Sequence, residues 1–406
     1  MIIIEIIQLV LLSLTGIFIL YVFFLSVFAL MAKKRKDFEA DSQRKFAVVI
    51  PAHNEEIMIS QTLYSAFSMI YPKNSYEIFV VADNCEDHTA EIAEKIGATV
   101  LERNHETDHG KGYALRWAFS KVIEMKKFDA IVVIDADTQI SGNFLKVMNY
   151  YMEQGAKVIQ SSDVVQPQPN VWSSEMTRIG FTLYNIVRPL GRSFLGLSMG
   201  LRGNGMCFDV NVLKETPWEA YSLTEDIEYG ILLMLKGHHI KFAPEATVTA
   251  KMPEKAKNAE SQRARWEIGR YPIMRRYSFP LIKAFFSKRS LSYLDTFIDL
   301  IMPPMVNLLL VICVFMGINT LLAVVGLTAF WPFALAWFSI FLIALAHLFI
   351  GFKAAKVDRN LYVALAHVPK YAIWKFLLYA KAIFKAKEDK WIRTSRESSS
   401  NVDQVV

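Results

Sequence analysis

The chain has 406 residues, of which 53% are hydrophobic, and its mean hydropathy is +0.25. This value is high for a soluble enzyme and indicates that part of the chain lies in lipid. The formal net charge of +6 suits a protein that lies against an anionic membrane leaflet and handles anionic substrates. The sequence shows no RNA- or DNA-binding motif, so nucleic acid is not expected as a partner. Its three widely spaced cysteines match neither a disulfide framework nor a zinc site.

The first hydrophobic segment predicts a membrane anchor. Residues 6–32 carry no charge and are long enough to span a bilayer at ~1.5 Å per residue. The basic cluster at 33–36 follows at once, so the positive-inside rule places the N-terminus outside and the next domain in the cytoplasm. A cleaved signal peptide is the alternative, but the apolar run is too long and the basic cluster lies on the wrong side. We expect residues 1–36 to form an N-terminal transmembrane helix.

Residues 37–270 predict a cytoplasmic α/β domain. Short β-branched runs alternate with helical stretches, and they lie at residues 47–50, 77–82, 98–101 and 130–134. This alternation predicts parallel strands with crossover helices. In such sheets the ligand site lies beyond the carboxyl ends of the strands.

A second hydrophobic region predicts two further transmembrane helices within residues 299–353. From Leu300 to Phe352 the sequence has no acidic or basic residue except His347, and this length is about twice that of one span. The break at 326–332 divides it into helices at about 300–326 and 329–352. The basic residues that follow agree with a return to the cytoplasm.

Two other stretches mix aromatic and basic residues, at 271–298 and 361–386. Each is too charged to span a bilayer comfortably, and each is expected to lie as an amphipathic helix in the headgroup plane. An ordinary surface helix packed on the domain is the alternative. The C-terminal region, residues 354–406, is expected to hold the second of these helices, a loop and a disordered tail.

Acidic residues follow two of the predicted strands. Asp83, at the end of the second strand, can accept bonds from a nucleobase or ribose, although it can equally be a cap or turn residue. Asp135 and Asp137 in IDADT stand one residue apart at the end of an apolar strand, and alternation sends them to the same side. Converging carboxylates repel each other unless a positive group lies there. A divalent cation that bridges a diphosphate meets that need.

A glycine-flanked lysine precedes a predicted helix in HGKGYALRWA at 109–118. Lys111, between Gly110 and Gly112, suits an anionic phosphate at the helix N-terminus. The glycine spacing is not that of a Walker A loop. The alternative is a loop with a solvated lysine.

The segment LTEDIEYG at 223–230 predicts the start of a helix. Thr224 is placed to cap it, with Glu225 and Asp226 in the first turn. This pattern is typical of a purely structural helix start. It is also typical of a site where one of the two carboxylates is a general base that takes a proton from an attacking hydroxyl.

The segment SQRARWEIGR at 261–270 predicts a helix with one functional face. Gln262, Arg265 and Trp266 lie three and four residues apart and share that face. Arginine clamps a diphosphate with two parallel bonds, and an indole stacks on a sugar ring. A helical tryptophan is also common in a protein core.

In this order, the strand–Asp, DxD, TED and QxxRW motifs resemble those of membrane-integrated family 2 glycosyltransferases. That family includes synthases of cellulose, hyaluronan, chitin oligosaccharides and poly-N-acetylglucosamine, with ceramide glucosyltransferases as more distant relatives. The resemblance covers about residues 46–270. It implies an α/β fold of the GT-A type, which is Rossmann-like, together with a nucleotide-sugar donor and a divalent metal, Mg²⁺ or Mn²⁺.

The resemblance also implies roles for individual residues. Asp137 is expected to ligate the metal, and Asp226 to be the catalytic base, with Glu225 beside it. The residues implied in donor binding are Asp83, Lys111, Asp135, Gln262 and Arg265. The residues implied in acceptor binding are Trp266, Gly203, Asn204 and Gly205.

Near the C-terminus, KWIRTSR at 390–396 resembles the gating loop of cellulose synthases, and hyaluronan synthases carry a similar element. Thr394 and Arg396 are then expected to close over the diphosphate, with Trp391 as the aromatic residue. Trp391 stands where the cellulose synthases have Phe, and Arg396 where they have Lys. A basic juxtamembrane tail is the alternative.

The expected function is that of a multi-pass membrane enzyme of the bacterial plasma membrane. It would transfer a sugar from a nucleotide-sugar, with inversion to a β-linkage, in the synthesis of a cell-surface polysaccharide. One alternative is transfer of a single sugar to a lipid acceptor. Another is a catalytically inactive scaffold that keeps a transferase fold. The expected partners are the donor, a glycan or lipid acceptor and the bilayer; the sequence does not predict an oligomeric state.

Overall fold

The computed structural model describes residues 2–33, 35–167, 172–250 and 256–373, and for residues 256–267 it describes the backbone only. These residues form two compact units. A helical unit comprises residues 2–33, 172–197 and 297–373, and an α/β unit comprises residues 35–167, 198–250 and 256–296. The chain therefore leaves the α/β unit after residue 167 and returns to it at residue 198.

The α/β unit is built on one mixed sheet of eight strands. The strands are β1 Phe46–Ala52, β2 Tyr76–Asp83, β3 Thr99–Arg103, β4 Ala130–Val133, β5 Thr138–Ile140, β6 Val158–Val165, β7 Met206–Asp209 and β8 Ile240–Ala250. Their order in the sheet is β3-β2-β1-β4-β7-β6-β8-β5. The first four are parallel and are the four runs expected from the sequence. β1, β2 and β4 are almost entirely buried, as continuous β-branched runs in a covered parallel sheet should be, whereas the edge strand β3 is partly exposed.

The other half of the sheet departs from the parallel pattern. β7 runs antiparallel to both β4 and β6, and β5 runs antiparallel to β8. Only β6 and β8 pair in parallel in this half. These four strands were not predicted, because β5 and β7 are short and polar residues interrupt the hydrophobic runs of the longer strands β6 and β8. The result is an α/β fold with a parallel half and a mixed half.

Helices of the α/β unit lie between the strands. They are α2 Ile59–Phe67, α3 Thr89–Ile96, α4 Lys111–Glu124, α5 Phe144–Glu153, α8 Val210–Glu215, α9 Glu225–Leu235 and α10 Ala256–Lys288, and α11 Leu291–Ile301 begins in this unit. α2 and α5 cover one sheet face, where Leu63 and Phe144 pack with strand residues such as Val48, Ile50 and Val132. This apolar layer fixes the strand ends that carry the site residues.

The stretch predicted to lie in the headgroup plane at 271–298 is largely part of the 33-residue helix α10. Tyr277 is buried, and its hydroxyl donates to Glu228 of α9 at 3.1 Å. Lys288 donates to the carbonyl of Leu235 at 2.8 Å. α10 thus packs against α9 as a surface helix does. Contact between its exposed face and a membrane stays a prediction.

The helical unit contains three helices that are long and apolar enough to cross a membrane. Its described helices are α1 Ile2–Met31, α6 Trp172–Phe181, a π-helical turn Thr182–Val187, α7 Arg188–Phe194, α12 Met305–Val324, α13 Trp331–Ala355 and α14 Arg359–Ala364, with the end of α11. The candidate spans are α1, α12 and α13 with its preceding turn. α12 begins later than predicted because Pro303 and Pro304 separate it from α11.

Close helix packing in this unit depends on small residues. Gly191 of α7 lies against the backbone of Leu25 in α1, so that a Cβ atom at Gly191 would collide with the Leu25 carbonyl oxygen. Ser26, the next residue, shares a 2.7 Å hydrogen bond with His347 Nδ1 of α13, and both side chains are buried. The one basic residue of the second hydrophobic region is therefore hydrogen-bonded through Nδ1 inside the helical unit.

We predict that Gly191→Ala destabilises the helical unit by about 2 kcal/mol or more, because the added methyl must push α1 away or strain α7. Gly180→Ala is the matched control, since Gly180 is also helical and a Cβ there meets nothing within 4 Å. Ala should stabilise that position by about 0.5–1 kcal/mol through helix propensity. Unfolding of both variants in detergent would check this, and equal stability of the two would contradict the packing described.

Candidate active site

The two aspartates of the DxD motif lie in the loop between β4 and β5. β4 ends at Val133, before either aspartate. Strand alternation therefore does not orient the two side chains, contrary to the prediction from the sequence. Hydrogen bonds do so instead. The backbone N–H of Asp135 donates to Asn204 Oδ1 at 3.1 Å, and Thr62 of α2 donates to the carbonyl of Ala136 at 2.7 Å. Asp135 and Asp137 are both half-buried and both act electrostatically on the same buried carboxyl group, Asp163.

Lys111 is the first residue of α4, directly after Gly110 at a φ of 112°. Its ammonium group forms an ion pair with Asp135 and donates to the carbonyl of Gly203 at 2.6 Å. Acidic neighbours raise the pKa of Lys111 although burial opposes this, so the group is a cation at neutral pH. Two residues expected on the donor side are therefore in direct contact.

The segment at 201–205 forms a tight loop before β7. Gly203 and Gly205 have φ angles of 78° and 68°, a region that favours glycine. A Cβ on Gly205 would collide with Ser161 Oγ of β6, and a Cβ on Gly203 would lie 3.2 Å from Asp226 Oδ2. The loop thus runs between β6 and the expected base, and acceptor binding by Gly203, Asn204 and Gly205 stays a prediction.

Asn204 is buried between these glycines, and its side chain links the loop to the DxD segment. It accepts from Asp135 N and donates to Thr138 Oγ1 at 3.0 Å. Its carbonyl accepts from Gln160 Nε2 of β6 at 2.6 Å, while Gln160 Oε1 accepts from Arg202 N at 2.9 Å. Gln160 was not predicted from the sequence. The signal that could have identified it was a glutamine within a β-branched strand, where buried polar residues are uncommon.

Glu225 and Asp226 occupy the first turn of α9, as predicted. Burial raises the pKa of both carboxyl groups, to about 7 for Glu225. The Lys111 ammonium opposes the shift in both, and Arg202 opposes it in Asp226. A raised pKa near neutrality suits a carboxylate that must accept a proton. Thr224, however, makes no capping bond to α9; its hydroxyl donates to the carbonyl of Gly269 instead.

Asp163 of β6 is a further carboxyl group that the sequence argument missed. It is only 6% exposed, and its pKa is raised well above the usual value by burial and by repulsion from Asp135, Asp137 and Asp226. A carboxylate inside SSDVV was the signal, since β6 is otherwise buried. Lys111 lowers this pKa but does not cancel the repulsion. The carboxylates around this point therefore outnumber the nearby cations.

This excess of oxygen donors fits a hard divalent cation. Within the described residues, however, no group of three or more His, Cys, Asp or Glu side chains forms a complete metal site. A cation held at Asp137 would complete its coordination with oxygens of a bound ligand or water, as Mg²⁺ commonly does with phosphates.

Asp83 lies at the end of β2 and is buried in an ion pair. Its Oδ1 accepts from Arg103 Nη1 at 2.5 Å and from Asn84 Nδ2 at 3.1 Å. Arg103 is its cross-strand neighbour on β3, and the two side chains are each 7% exposed. Arg103 was not predicted as a site residue, because no motif in the sequence links it to Asp83. Nucleotide binding by Asp83 stays a prediction.

Some predicted site residues have no described side chains. Gln262, Arg265 and Trp266 lie on α10, for which the backbone alone is described at these positions. Thr394 and Arg396 lie outside the described residues. The residues that the structure does bring together are Lys111, Asp135, Asp137, Gly203, Asn204, Gly205, Glu225 and Asp226.

Comparison with known proteins gives a consistent result. The family model described as glycosyltransferase like family 2 matches residues 43–269. A Bacillus subtilis protein named "Probable glycosyltransferase YdaM" is 28% identical over 266 residues, which cover 62% of this chain and 61% of that protein. Poly-beta-1,6-N-acetyl-D-glucosamine synthase of Staphylococcus aureus is 25% identical over 272 residues, which cover 65% of this chain and 64% of that protein. The chain thus spans less than two thirds of these relatives.

Among solved structures, a mannosyltransferase from Pyrobaculum calidifontis in complex with GDP-Man and Mn²⁺ is similar in fold. Its TM-score is 0.54 at 15% sequence identity, and the match covers 84% of this chain and 97% of that one. The fold expected from the sequence, an α/β fold of the GT-A type, is confirmed.

We predict that Asp163→Asn stabilises the protein at pH 8, because it removes a buried carboxylate that its acidic neighbours repel. The folded-state pKa is raised, so the native carboxylate costs stability once the pH exceeds the unfolded value of about 4. The gain in melting temperature should be a few degrees at pH 8 and should shrink towards pH 4. Thermal unfolding at both pH values checks this; a loss of stability at pH 8 would contradict it.

Proposed function

The chain belongs to the family 2 glycosyltransferases, and on that premise we propose that it transfers a sugar from a nucleotide-sugar, such as a UDP-sugar, with inversion at the anomeric carbon. The observation that carries this proposal is the convergence of Lys111, Asp135 and Asp226 on the 203–205 loop. One end of the cluster offers a cation for a diphosphate, and the other offers a carboxylate for an attacking hydroxyl.

Asp226 acts as the general base. It lies beside Gly203, the loop position at which the chain can approach a sugar closely. Burial raises its pKa and so makes it a better proton acceptor than a solvated aspartate. Removal of the acceptor proton as the new bond forms gives a single displacement, so an α-linked donor yields a β-linked product. Burial raises the pKa of Glu225, the residue before Asp226, to about 7, so this carboxyl group can hold a proton near neutral pH.

The donor side binds the nucleotide diphosphate. Lys111, Asp135 and the buried Asp83–Arg103 pair hold the donor, and Gln262 with Arg265 contacts the diphosphate. Trp266 and the 203–205 loop meet the acceptor, while Thr394 and Arg396 close over the diphosphate. Asp137 holds a divalent cation, Mg²⁺ or Mn²⁺, which when bound neutralises charge that develops on the leaving nucleotide diphosphate.

The product we propose is a polysaccharide at the cell surface, in keeping with the synthase name of one relative. The second candidate is a glycolipid formed by one sugar transfer, which the three candidate spans among the described residues favour, since three are few for a polymer channel. An inactive scaffold is disfavoured because Asp135, Asp137, Asp226 and Arg265 are all retained.

We propose that the chain is a membrane protein with several passes and that its catalytic unit faces the cytoplasm, which the three candidate spans among the described residues support. The basic residues after α1 and after α13 support that orientation. Cytoplasmic placement also gives the site access to nucleotide-sugars.

Release of nucleotide diphosphate tests the function directly. The purified full-length chain would be incubated with Mn²⁺ and UDP-GlcNAc, UDP-glucose or GDP-mannose in turn, with and without membrane lipid. Labelled product would then be sized. Long chains support the polysaccharide, a single sugar on lipid supports the glycolipid, and no release from any donor argues against both.

We predict that Asp226→Asn lowers turnover by at least about 10³-fold, because the amide cannot accept the acceptor's proton, while donor affinity changes little. Turnover by initial rate and donor affinity by calorimetry would be measured. The acidic limb of the wild-type pH–rate profile should lie above the usual aspartate pKa, since burial raises the pKa of Asp226. Near-normal turnover in the variant would remove Asp226 from the mechanism.

We predict that Asp137→Ala loses metal-dependent donor binding, because its carboxylate is the ligand that keeps the cation near the diphosphate. Titration of Mn²⁺ in the presence of UDP should show an apparent affinity weaker by about tenfold or more, since even residues that only support metal ligands cost this much when they are changed. Gln139→Ala, an exposed neighbour on β5, serves as the control. An unchanged titration in Asp137→Ala would contradict the assignment.

A further inference from the structure

Two buried contacts join α9, which carries the expected base, to α10, which carries the QxxRW motif. The first is at Thr224, whose hydroxyl donates to the carbonyl of Gly269 at 3.1 Å. Thr224 is 4% exposed. It stands at the N-cap position of α9 yet makes no side-chain cap bond. Its hydroxyl therefore bonds to α10 instead of capping α9.

Gly269 allows the two backbones to come this close. A Cβ atom at Gly269 would lie 2.9 Å from Leu223 Cβ and 3.0 Å from Thr224 Cγ2. Both atoms are fixed near their own backbone, so neither can move aside without shifting the chain. Any larger residue at Gly269 would thus push α10 away from the start of α9.

The second contact is at Glu228, which lies one half-turn beyond Asp226 on α9 and is 4% exposed. Its carboxylate accepts from Tyr277 Oη at 3.1 Å, from Arg276 Nη1 at 3.2 Å and from Ser222 N at 3.3 Å. A buried carboxylate is costly unless donors satisfy it, so these three bonds define where it must lie. Burial and Glu228 raise the pKa of Tyr277 to about 12, which keeps the phenol a donor.

The two contacts lie on either side of the base in sequence. Asp226 stands between Thr224 and Glu228, while Gly269 and Tyr277 are about 12 Å apart along α10 at 1.5 Å per residue. Two attachment points this far apart fix both the position and the rotation of one helix against the other. α10 contains Pro272 between Gly269 and Tyr277, but no proline lies between Gly269 and Arg265. Fixing α10 at Gly269 therefore also fixes the turn that carries Arg265.

We propose that Thr224 and Glu228 are positioning residues that hold α10 in place against α9. They thereby set the distance between the Asp226 carboxylate and the backbone turn of α10 that carries the QxxRW motif. The roles of Asp226 and of that motif rest on the proposed function; the positioning itself does not. Thr224, within the TED motif, then acts through Gly269 and touches no substrate.

Thr224→Val removes the hydroxyl but keeps the shape, and Thr224→Ser keeps the hydroxyl. Thr296→Val is the matched control, since Thr296 is a part-buried threonine of α11 whose hydroxyl contacts the Met234 sulfur at 3.3 Å. Hydrogen–deuterium exchange of the full-length protein in detergent would follow peptides within 256–272. We expect at least threefold faster exchange there in Thr224→Val, and wild-type exchange in Thr224→Ser and Thr296→Val. Wild-type exchange in Thr224→Val would overturn the proposal.

Tyr277→Phe provides a second arm in case Thr224→Val folds poorly. It removes one donor to Glu228 and should speed exchange in the same peptides, with β1 to β4 unchanged. Unchanged exchange in this variant would contradict a role for Glu228. General acceleration across the sheet in either variant would overturn the proposal in favour of ordinary loss of stability.

Activity separates positioning from donor binding. With UDP-GlcNAc as the probe, or another donor that the wild type turns over, Thr224→Val should lower kcat by about 10-fold and leave the donor KM within twofold, because small misplacements of reacting groups cost rate more than binding. Thr224→Ser should restore kcat. A rise in KM alone would count against positioning. If the wild type turns over no donor, the proposed function fails while the exchange measurement still decides this proposal.

Discussion

The buried amide of Asn204 is the interaction on which the site depends. Its oxygen accepts from the backbone of Asp135, and its nitrogen donates to Thr138. It therefore spans the whole DxD segment from one side, while Thr62 holds the same segment from the other. An amide is suited to this because it offers a donor and an acceptor at once, and neither is left unpaired away from water. The glycines on either side of it have positive φ angles and lie close to Asp226 and Ser161, so both are needed for this loop conformation.

The position of the 203–205 loop also determines which charged groups lie close together in the site. The loop brings carboxyl groups from three separate elements close to Lys111, and burial raises the pKa values of Asp163, Glu225 and Asp226. A structure selected for stability alone would not gather them. Accumulated like charge among buried carboxyl groups is typical of a site that binds a cation or takes up a proton. The gathering of these carboxyl groups thus lowers the stability of the fold and, at the same time, supports the chemistry proposed for the site.

The sequence predicted some parts of this molecule well, for physical reasons. The strands β1, β2 and β4 were predictable because buried parallel strands are continuous β-branched runs, and the edge strand β3 was predictable from its own short apolar run. The antiparallel half was not, since β5 and β7 are too short to show a period. Gly203 and Gly205 were predictable from their motif, whereas Gln160 and Asp163 were not. A polar side chain on a strand reveals nothing of its partners until non-local pairing brings β6 beside β7.

The course of the chain through its two units limits how the enzyme can be divided. Residues 172–197 belong to the helical unit, yet the chain on both sides of them belongs to the α/β unit. Leu201, where the chain begins the glycine loop, follows only a few residues after the return. Removing the candidate spans would take away the packing partner of this internal segment, whose Gly191 packs on α1. The helical unit therefore includes an internal segment of the chain, and trimming the ends of the sequence would leave that segment without the helix against which it packs.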